Sequence, residues 1–282
     1  MGTKTLSENI NQAISDFSDI KQAIIDKGVE VPSGTPTSQY GTKIGEIQSG
    51  GSGGSNEDFI SVVERTATNP TLPSGLTKIG DYAFYKYTNL VKPTLPNSVT
   101  SIGQYAFQNC SKLALTSLPN SLTSIGQYAF QNCQKLAVTS LPDSITSIDA
   151  YAFQNCSLLA LTSLPNSVTS IGQNAFYWCD RLAFTSMPEG LTSIGSSAFN
   201  NCLKLSKITF PNSLTSIDSN AFSSCVGLTE ITFKGTPNSI STSAFSRCTK
   251  LTTIRVPWAE GEVSGAPWGA TNANLIYNYT ET

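Results

Sequence analysis

The chain has no histidine at all in 282 residues. That removes Ser–His and Cys–His catalytic pairs and every histidine-containing metal site at one stroke. Charge is scarce as well: only 13% of residues are charged and the net charge is −2. Between Val99 and Gly190 there are seven charged side chains, so the surface there must be mostly Ser, Thr, Asn and Gln. Such a composition offers neither the basic stripe that nucleic acid requires nor a polybasic membrane patch, and neither partner is expected. No stretch approaches the ~18 consecutive apolar residues of a membrane span. The opening MGTKTLSENINQ has no apolar h-region, so no secretory signal is expected in it.

What the chain has instead is repetition. Val99–Ser121 reads VTSIGQYAFQNCSKLALTSLPNS, and Leu122–Ser144 reads LTSIGQYAFQNCQKLAVTSLPDS. Isoleucine recurs at 79, 102, 125, 148, 171, 194, 217 and 240, always 23 residues apart. Phenylalanine follows five residues later, from Phe84 to Phe245, and leucine eleven residues later, from Leu90 to Leu251. Eight copies without insertion or deletion define a repeat architecture.

Each copy reads as strand, turn, short strand and short helix. Gly, Asp or Ser follows every isoleucine, and all three suit a helix N-cap. A helix is expected over Gln104–Cys110, with Ile102, Ala106, Phe107, Cys110 and Leu113 on one buried face. A strand such as Leu115–Pro119 and a turn of Asn-Ser, Asp-Ser or Glu-Gly should follow. No copy buries its apolar face alone, so stacking must complete the core.

The flanks differ from the repeats. Ser7–Lys27 reads as a helix, with Ile10, Ala13, Phe17, Ile20 and Ile24 in a heptad-like stripe. Either this helix docks on its own chain or it makes a homo-oligomer through residues 7–27. Residues 1–48 are expected to be a helical module for attachment or oligomerisation, and 49–55, SGGSGGS, a flexible linker. Residues 56–258 form the repeat domain, opened by a half repeat, because Leu72-Pro73 precedes Leu95-Pro96 by 23 residues. The last copy departs from the pattern, with Lys234 and Pro237 where Pro and an aliphatic residue are expected. Residues 259–282 then form a C-terminal cap, with Trp268, Ile276, Tyr277 and Tyr279 over the last repeat.

The run S-x-T-S-I-G-x-x-A-F-x-x-C-x-x-L, followed by a strand ending in Pro, resembles the BspA-like (Treponema-type) leucine-rich repeats. The resemblance covers roughly residues 72–257. It implies a right-handed α/β leucine-rich repeat solenoid and a surface or secreted bacterial protein that binds host proteins or cells. No catalytic residue comes with it. The segment SENINQAISDFSDIKQAIIDKGVEVPSGTPTSQYGTKIGEI resembles the N-terminal part of phage and prophage tail-associated proteins of Gram-positive bacteria. VPWAEGEVSGAPWGATNANLIYNY is similar to the C-terminal cap of leucine-rich repeat proteins from that setting.

Three columns of residues bear on function. Seven cysteines, Cys110 to Cys248, share one repeat position. They have no local C-x-x-C and are odd in number, which suits buried free thiols rather than a metal site or a full disulfide set. In repeats two to five Leu115, Val138, Leu161 and Phe184 lie three residues before Leu118, Leu141, Leu164 and Met187. A regular strand cannot bury both sets. Either a bulge turns the first set inward, or it forms an exposed apolar ladder for a partner. Tyr82, Tyr105, Tyr128 and Tyr151 make a second ladder beside rows of Gln and Asn. It is either a polar–aromatic face suited to glycans or plain repetition.

The expected function is non-catalytic binding or adhesion without cofactor, metal or membrane insertion. The partner would be a protein or glycan on a cell surface. Two settings remain open: a phage or prophage tail-associated protein recognising a bacterial surface, or a bacterial surface adhesin. The location is accordingly extracellular or virion-associated.

Overall fold

The computed structural model describes residues 68–72 and 74–280. The expected helical module at 1–48, its stripe at 7–27, the linker at 49–55 and the start of the half repeat lie outside the described residues.

Twelve short strands are present in this region, all paired in parallel. Eight of them are two-residue strands ending in the repeat isoleucine: β1 (Lys78–Ile79), β2 (Ser101–Ile102), β3 (Ser124–Ile125), β4 (Ser147–Ile148), β5 (Ser170–Ile171), β6 (Ser193–Ile194), β8 (Ser216–Ile217) and β10 (Ser239–Ile240). They stack in chain order as two sheets, β1-β2-β3 and β4-β5-β6-β8-β10, with each isoleucine opposite the next. On another side of the coil β7 (Lys207–Phe210), β9 (Glu230–Phe233), β11 (Thr253–Arg255) and β12 (Asn274–Ile276) form a third sheet in the order β7-β9-β11-β12. The architecture is therefore a leucine-rich repeat solenoid with one 23-residue repeat per turn.

The core follows from the repeat. Every residue at the isoleucine, phenylalanine and leucine positions is buried. The eight phenylalanines from Phe84 to Phe245 form one continuous stack, with ring centroids 5.0–5.5 Å apart. Burying each ring is worth about 1.5–3 kcal/mol, and each ring–ring contact about 0.5–1.5 kcal/mol more.

The expected helix is not formed. Ile102, Ala106, Phe107, Cys110 and Leu113 are all buried as that reading requires, but the described residues contain no helix. The reason is the backbone. The third and seventh residues after isoleucine take positive φ in nearly every repeat, for example Tyr105 at 57° and Asn109 at 63°. The amides of Gln108 and Cys110 then donate three residues back, to Tyr105 and Phe107. Those of Tyr105, Phe107 and Asn109 donate instead to Gln127, Ala129 and Gln131 of the next repeat. A positive φ at the third residue of a four-residue turn is the type II geometry that favours Asn or Gly. A helix would use all these amides within one repeat; the tandem turns spend every other one on the neighbour.

The expected strand at Leu115–Pro119 and its counterparts in repeats three to five is absent too. Only the later repeats, where apolar residues alternate, make strands: Ile208 and Phe210 point inward from β7, and Ile231 and Phe233 from β9. Lys234 stands where other repeats have proline, and its amide donates to the Phe210 carbonyl at 2.9 Å, a bond proline cannot make.

At the C-terminal end Trp258 and Trp268 are buried and lie 5.3 and 6.0 Å from Phe233. The indole N–H of Trp268 donates to the Ser264 carbonyl at 2.9 Å. Tyr277 and Tyr279 are half-buried, while Ile276 is exposed. Among the described residues no helix is long and apolar enough to cross a membrane.

Candidate binding face

Leu115, Val138, Leu161 and Phe184 are buried, and so are Leu118, Leu141, Leu164 and Met187. Both sets point inward, so the first does not present an apolar ladder to a partner. No strand ladder forms along these residues. Between repeats the backbone keeps the bonds of Ala137 to Leu115 and Ala160 to Val138. The three amides that follow, such as those of Val138, Thr139 and Ser140, make no bond among the described residues.

The tyrosine ladder lies on the tandem-turn side and reaches the surface. Tyr82, Tyr105, Tyr128 and Tyr151 stack with centroids 4.7, 4.7 and 4.5 Å apart and planes within 10°. Tyr82 is 54% exposed and the other three are half-buried. All four hold φ near +60°, a conformation uncommon for a bulky side chain. Desolvation, then the neighbouring Tyr151 and Tyr105 phenols, push the Tyr128 hydroxyl above its ordinary value.

Two amide rows run beside the rings. Gln108 donates to Gln131, and Gln131 to Gln154. Asn132 Nδ2 donates to Asn109 Oδ1, and Asn155 Nδ2 to Asn132 Oδ1, each at 2.7 Å. The row then stops, because Trp178 occupies the next place, and Asn155 Oδ1 is left buried without a hydrogen-bond partner. Trp178 is 52% exposed, holds φ at +59° and stacks beside Tyr177 with centroids 5.9 Å apart. The periodic reading of the sequence does not single out Trp178, although a lone tryptophan in a column of Asn was visible there.

All seven cysteines are buried free thiols, six of them at 0% exposure. Each Sγ–H faces the phenylalanine carbonyl of the preceding repeat at 3.0–3.2 Å. Burial pushes the Cys110 thiol up to about 12, and those of Cys133 through Cys225 well above the ordinary range. Among the described residues no cluster of three or more His, Cys, Asp or Glu side chains is arranged to hold a metal ion.

The tandem repeats match the family described as BspA type leucine-rich repeat region over residues 64–172 and 159–260, and the chain belongs to that family. A comparison with functionally curated proteins finds no match. Among solved structures, a leucine-rich repeat protein from Bacteroides ovatus is similar at 25% identity and TM-score 0.57, covering 75% of this chain. The chain spans 61% of that protein's length. A leucine-rich repeat protein from T. pallidum is 29% identical with TM-score 0.46, over 66% of this chain and 78% of the other. A leucine-rich cell surface protein from Faecalibacterium prausnitzii is 21% identical with TM-score 0.35, over 76% of this chain and 89% of the other.

Proposed function

We propose that the protein is a non-catalytic binding or adhesion protein acting at a cell surface, and that the tyrosine–amide face is where it binds. The observation that carries the reading is a comparison within the chain. Asn174, Ser197 and Asn220 occupy the tyrosine position in later repeats, and hold φ of 53–57° without a ring. The turn therefore does not need tyrosine. Four exposed or half-exposed rings kept in register are surplus to the fold, and aromatic side chains are enriched where proteins bind. Membership in the BspA-type family supports the same reading, as does a fold built only of stacked turns.

The test is cell binding by the full-length chain, labelled and read by flow cytometry on bacterial and host cells. Tyr105→Ser, Tyr128→Ser and Tyr151→Ser together should leave the circular dichroism unchanged and reduce binding. Wild-type protein that labels no cells, or a triple variant that labels them equally well, overturns the assignment.

A second reading places the chain on a phage or prophage tail, and it rests on the resemblance of residues 7–47 to the N-terminal part of tail-associated proteins. In it the stripe of Ile10, Phe17 and Ile24 assembles copies of the chain. Light scattering should then give an oligomer that Phe17→Asp converts to a monomer. A wild-type monomer removes the support for the virion and leaves the adhesin.

A further inference from the structure

Folding sorts the cations of this chain into two populations. Of the twelve Lys and Arg in the described region, Lys207 and Arg255 pair with Glu230, and Lys234 with Glu189. Seven others occupy only two positions in the repeat. Lys86 and Arg247 are the seventh residue after isoleucine; Lys112, Lys135, Arg181, Lys204 and Lys250 are the tenth. All seven are exposed, and none makes an ion pair among the described residues. The contacts they do make are neutral: Lys112 Nζ donates to Asn89 Oδ1 at 3.2 Å, and Lys86 lies over the Tyr85 ring. The one carboxylate on this edge is Asp180, which is half-buried and held above the usual range by desolvation. At about 4.8 Å per turn, the seven cations run along some 34 Å of one edge.

Trp178 lies on the same edge, in the column of Lys86 and Arg247. It is a poor choice for stability on two counts. Asn, which tolerates the left-handed conformation, fills this position at 109, 132, 155 and 201. Trp178 also ends the amide row and orphans Asn155 Oδ1. A buried acceptor left unpaired costs about 1–3 kcal/mol. In the next two repeats Leu203 and Val226, each the ninth residue after isoleucine, are exposed as well. A strained, exposed indole among unpaired cations points to a ligand.

We propose that this edge binds a linear acidic polysaccharide, with its anionic groups along the seven cations and a sugar ring against the indole of Trp178. The proposal rests on the reading of the chain as a binding protein and adds a site and a ligand class to it. The charge density favours a polysaccharide over nucleic acid: on average about one cation per ~4.8 Å faces out here, with Arg247 and Lys250 sharing the last turn, whereas duplex DNA carries one charge per ~1.7 Å. The C–H face of a pyranose suits the exposed indole ring, and Leu203 and Val226 leave apolar surface open in the two turns that follow.

The experiment is a binding titration of the full-length protein against hyaluronate and polygalacturonate, with dextran as the neutral polymer and duplex DNA as the competing polyanion. An acidic polysaccharide should bind, weaken as salt is raised, and leave dextran unbound. Lys112→Glu/Lys135→Glu/Lys204→Glu should weaken binding about tenfold or more. Lys78→Glu/Lys92→Glu/Lys207→Glu changes the net charge equally and should weaken it far less. Trp178→Asn should raise the melting temperature, by completing the amide row, while weakening binding; a merely structural tryptophan would lower the melting temperature and leave binding unchanged.

No binding to either acidic polysaccharide, equal losses in the two triple variants, or DNA bound as tightly each overturns the proposal. So does unchanged binding by Trp178→Asn. If the first triple variant still binds cells as wild type does, this edge is not the cell-binding site, while adhesion stands. If the wild type binds polysaccharide but no cell, adhesion falls and the edge remains.

Discussion

At the scale of single residues, the cysteine column makes the chain sensitive to alkali. In the unfolded chain a thiol ionises near pH ~8.5, whereas burial holds the folded Cys110 thiol at about 12 and those of Cys133 through Cys225 well above the ordinary range. Above pH ~8.5 the unfolded chain therefore carries fewer protons than the folded one, and stability falls as pH rises. Each of these six thiols withdraws on the order of 1.4 kcal/mol per pH unit between the two values, while Cys248, whose thiol the hydrogen bond with Cys225 holds below its ordinary value, does not share in the effect. Urea midpoints should hold steady up to about pH 8 and then drop steeply. Cys133→Ala/Cys156→Ala/Cys179→Ala should lessen the slope, and a wild-type midpoint flat to pH 10 would contradict the linkage. In the native protein none of the seven thiols should react with a disulfide reagent on the timescale of minutes; all seven should do so in denaturant. The phenylalanine stack is the other residue-scale determinant. Phe153 touches a ring above and a ring below, so Phe153→Ala should cost about 3–5 kcal/mol, measured by urea unfolding.

At the scale of elements, the two halves of the coil should differ in backbone protection. The amides of β9 are held in a ladder with β7 and β11, whereas Thr139 and Ser140 at the corresponding positions make no hydrogen bond among the described residues. Hydrogen exchange should be fast at Thr139, Ser140, Thr162 and Ser163 and slow from Ile231 to Phe233. Equal protection would refute the unpaired backbone. These elements also mark where sequence reading works. Burial was legible down to the residue, because Ile, Phe, Cys and Leu recur in phase and only stacking can cover them. The strands at β7, β9 and β11 were legible from the alternation of Ile208 with Phe210 and of Ile231 with Phe233. The turns were not. Ile102, Ala106, Phe107, Cys110 and Leu113 fall on one face of an ideal helix as well as on the inner side of two turns, and spacing alone does not separate the two. The signal against a helix was Asn at 109, 132, 155 and 201, a residue suited to positive φ. Tyr at 105, 128 and 151 works the other way, since bulky residues seldom take that conformation. The face that carries Tyr105 and Trp178 was half legible: the 23-residue period places the tyrosines in one column and Lys112, Lys135 and Lys204 in another, but which columns reach the surface follows only once the coil is wound.

At the scale of the whole molecule, each turn is hydrogen-bonded through its backbone only to its neighbours, and the Lys234–Glu189 ion pair that reaches across two turns is exposed, so the weakest joint governs where the stack opens. That joint lies between repeats three and four. β3 and β4 do not pair, and the amides of Thr146 and Asp149 lack the bonds made by Thr169 and Gly172 one turn later. Exchange at Thr146 and Asp149 should therefore outpace that at Thr169 and Gly172 and respond first to moderate urea; identical rates would mean a uniform stack. Salt should matter little to stability. The three ion pairs in the described region are at least partly exposed, and such pairs contribute about 0–1 kcal/mol each.

The register of β4, β5 and β6, isoleucine opposite isoleucine with no offset, reaches back to the gene. A stretch of DNA that encodes one complete turn can be lost or duplicated by recombination between near-identical copies, and neither the reading frame nor the pairing of the turns above and below is disturbed. Each such event lengthens or shortens the coil by ~4.8 Å. A lineage can thus change the length of the molecule in whole steps, without passing through a form that cannot fold.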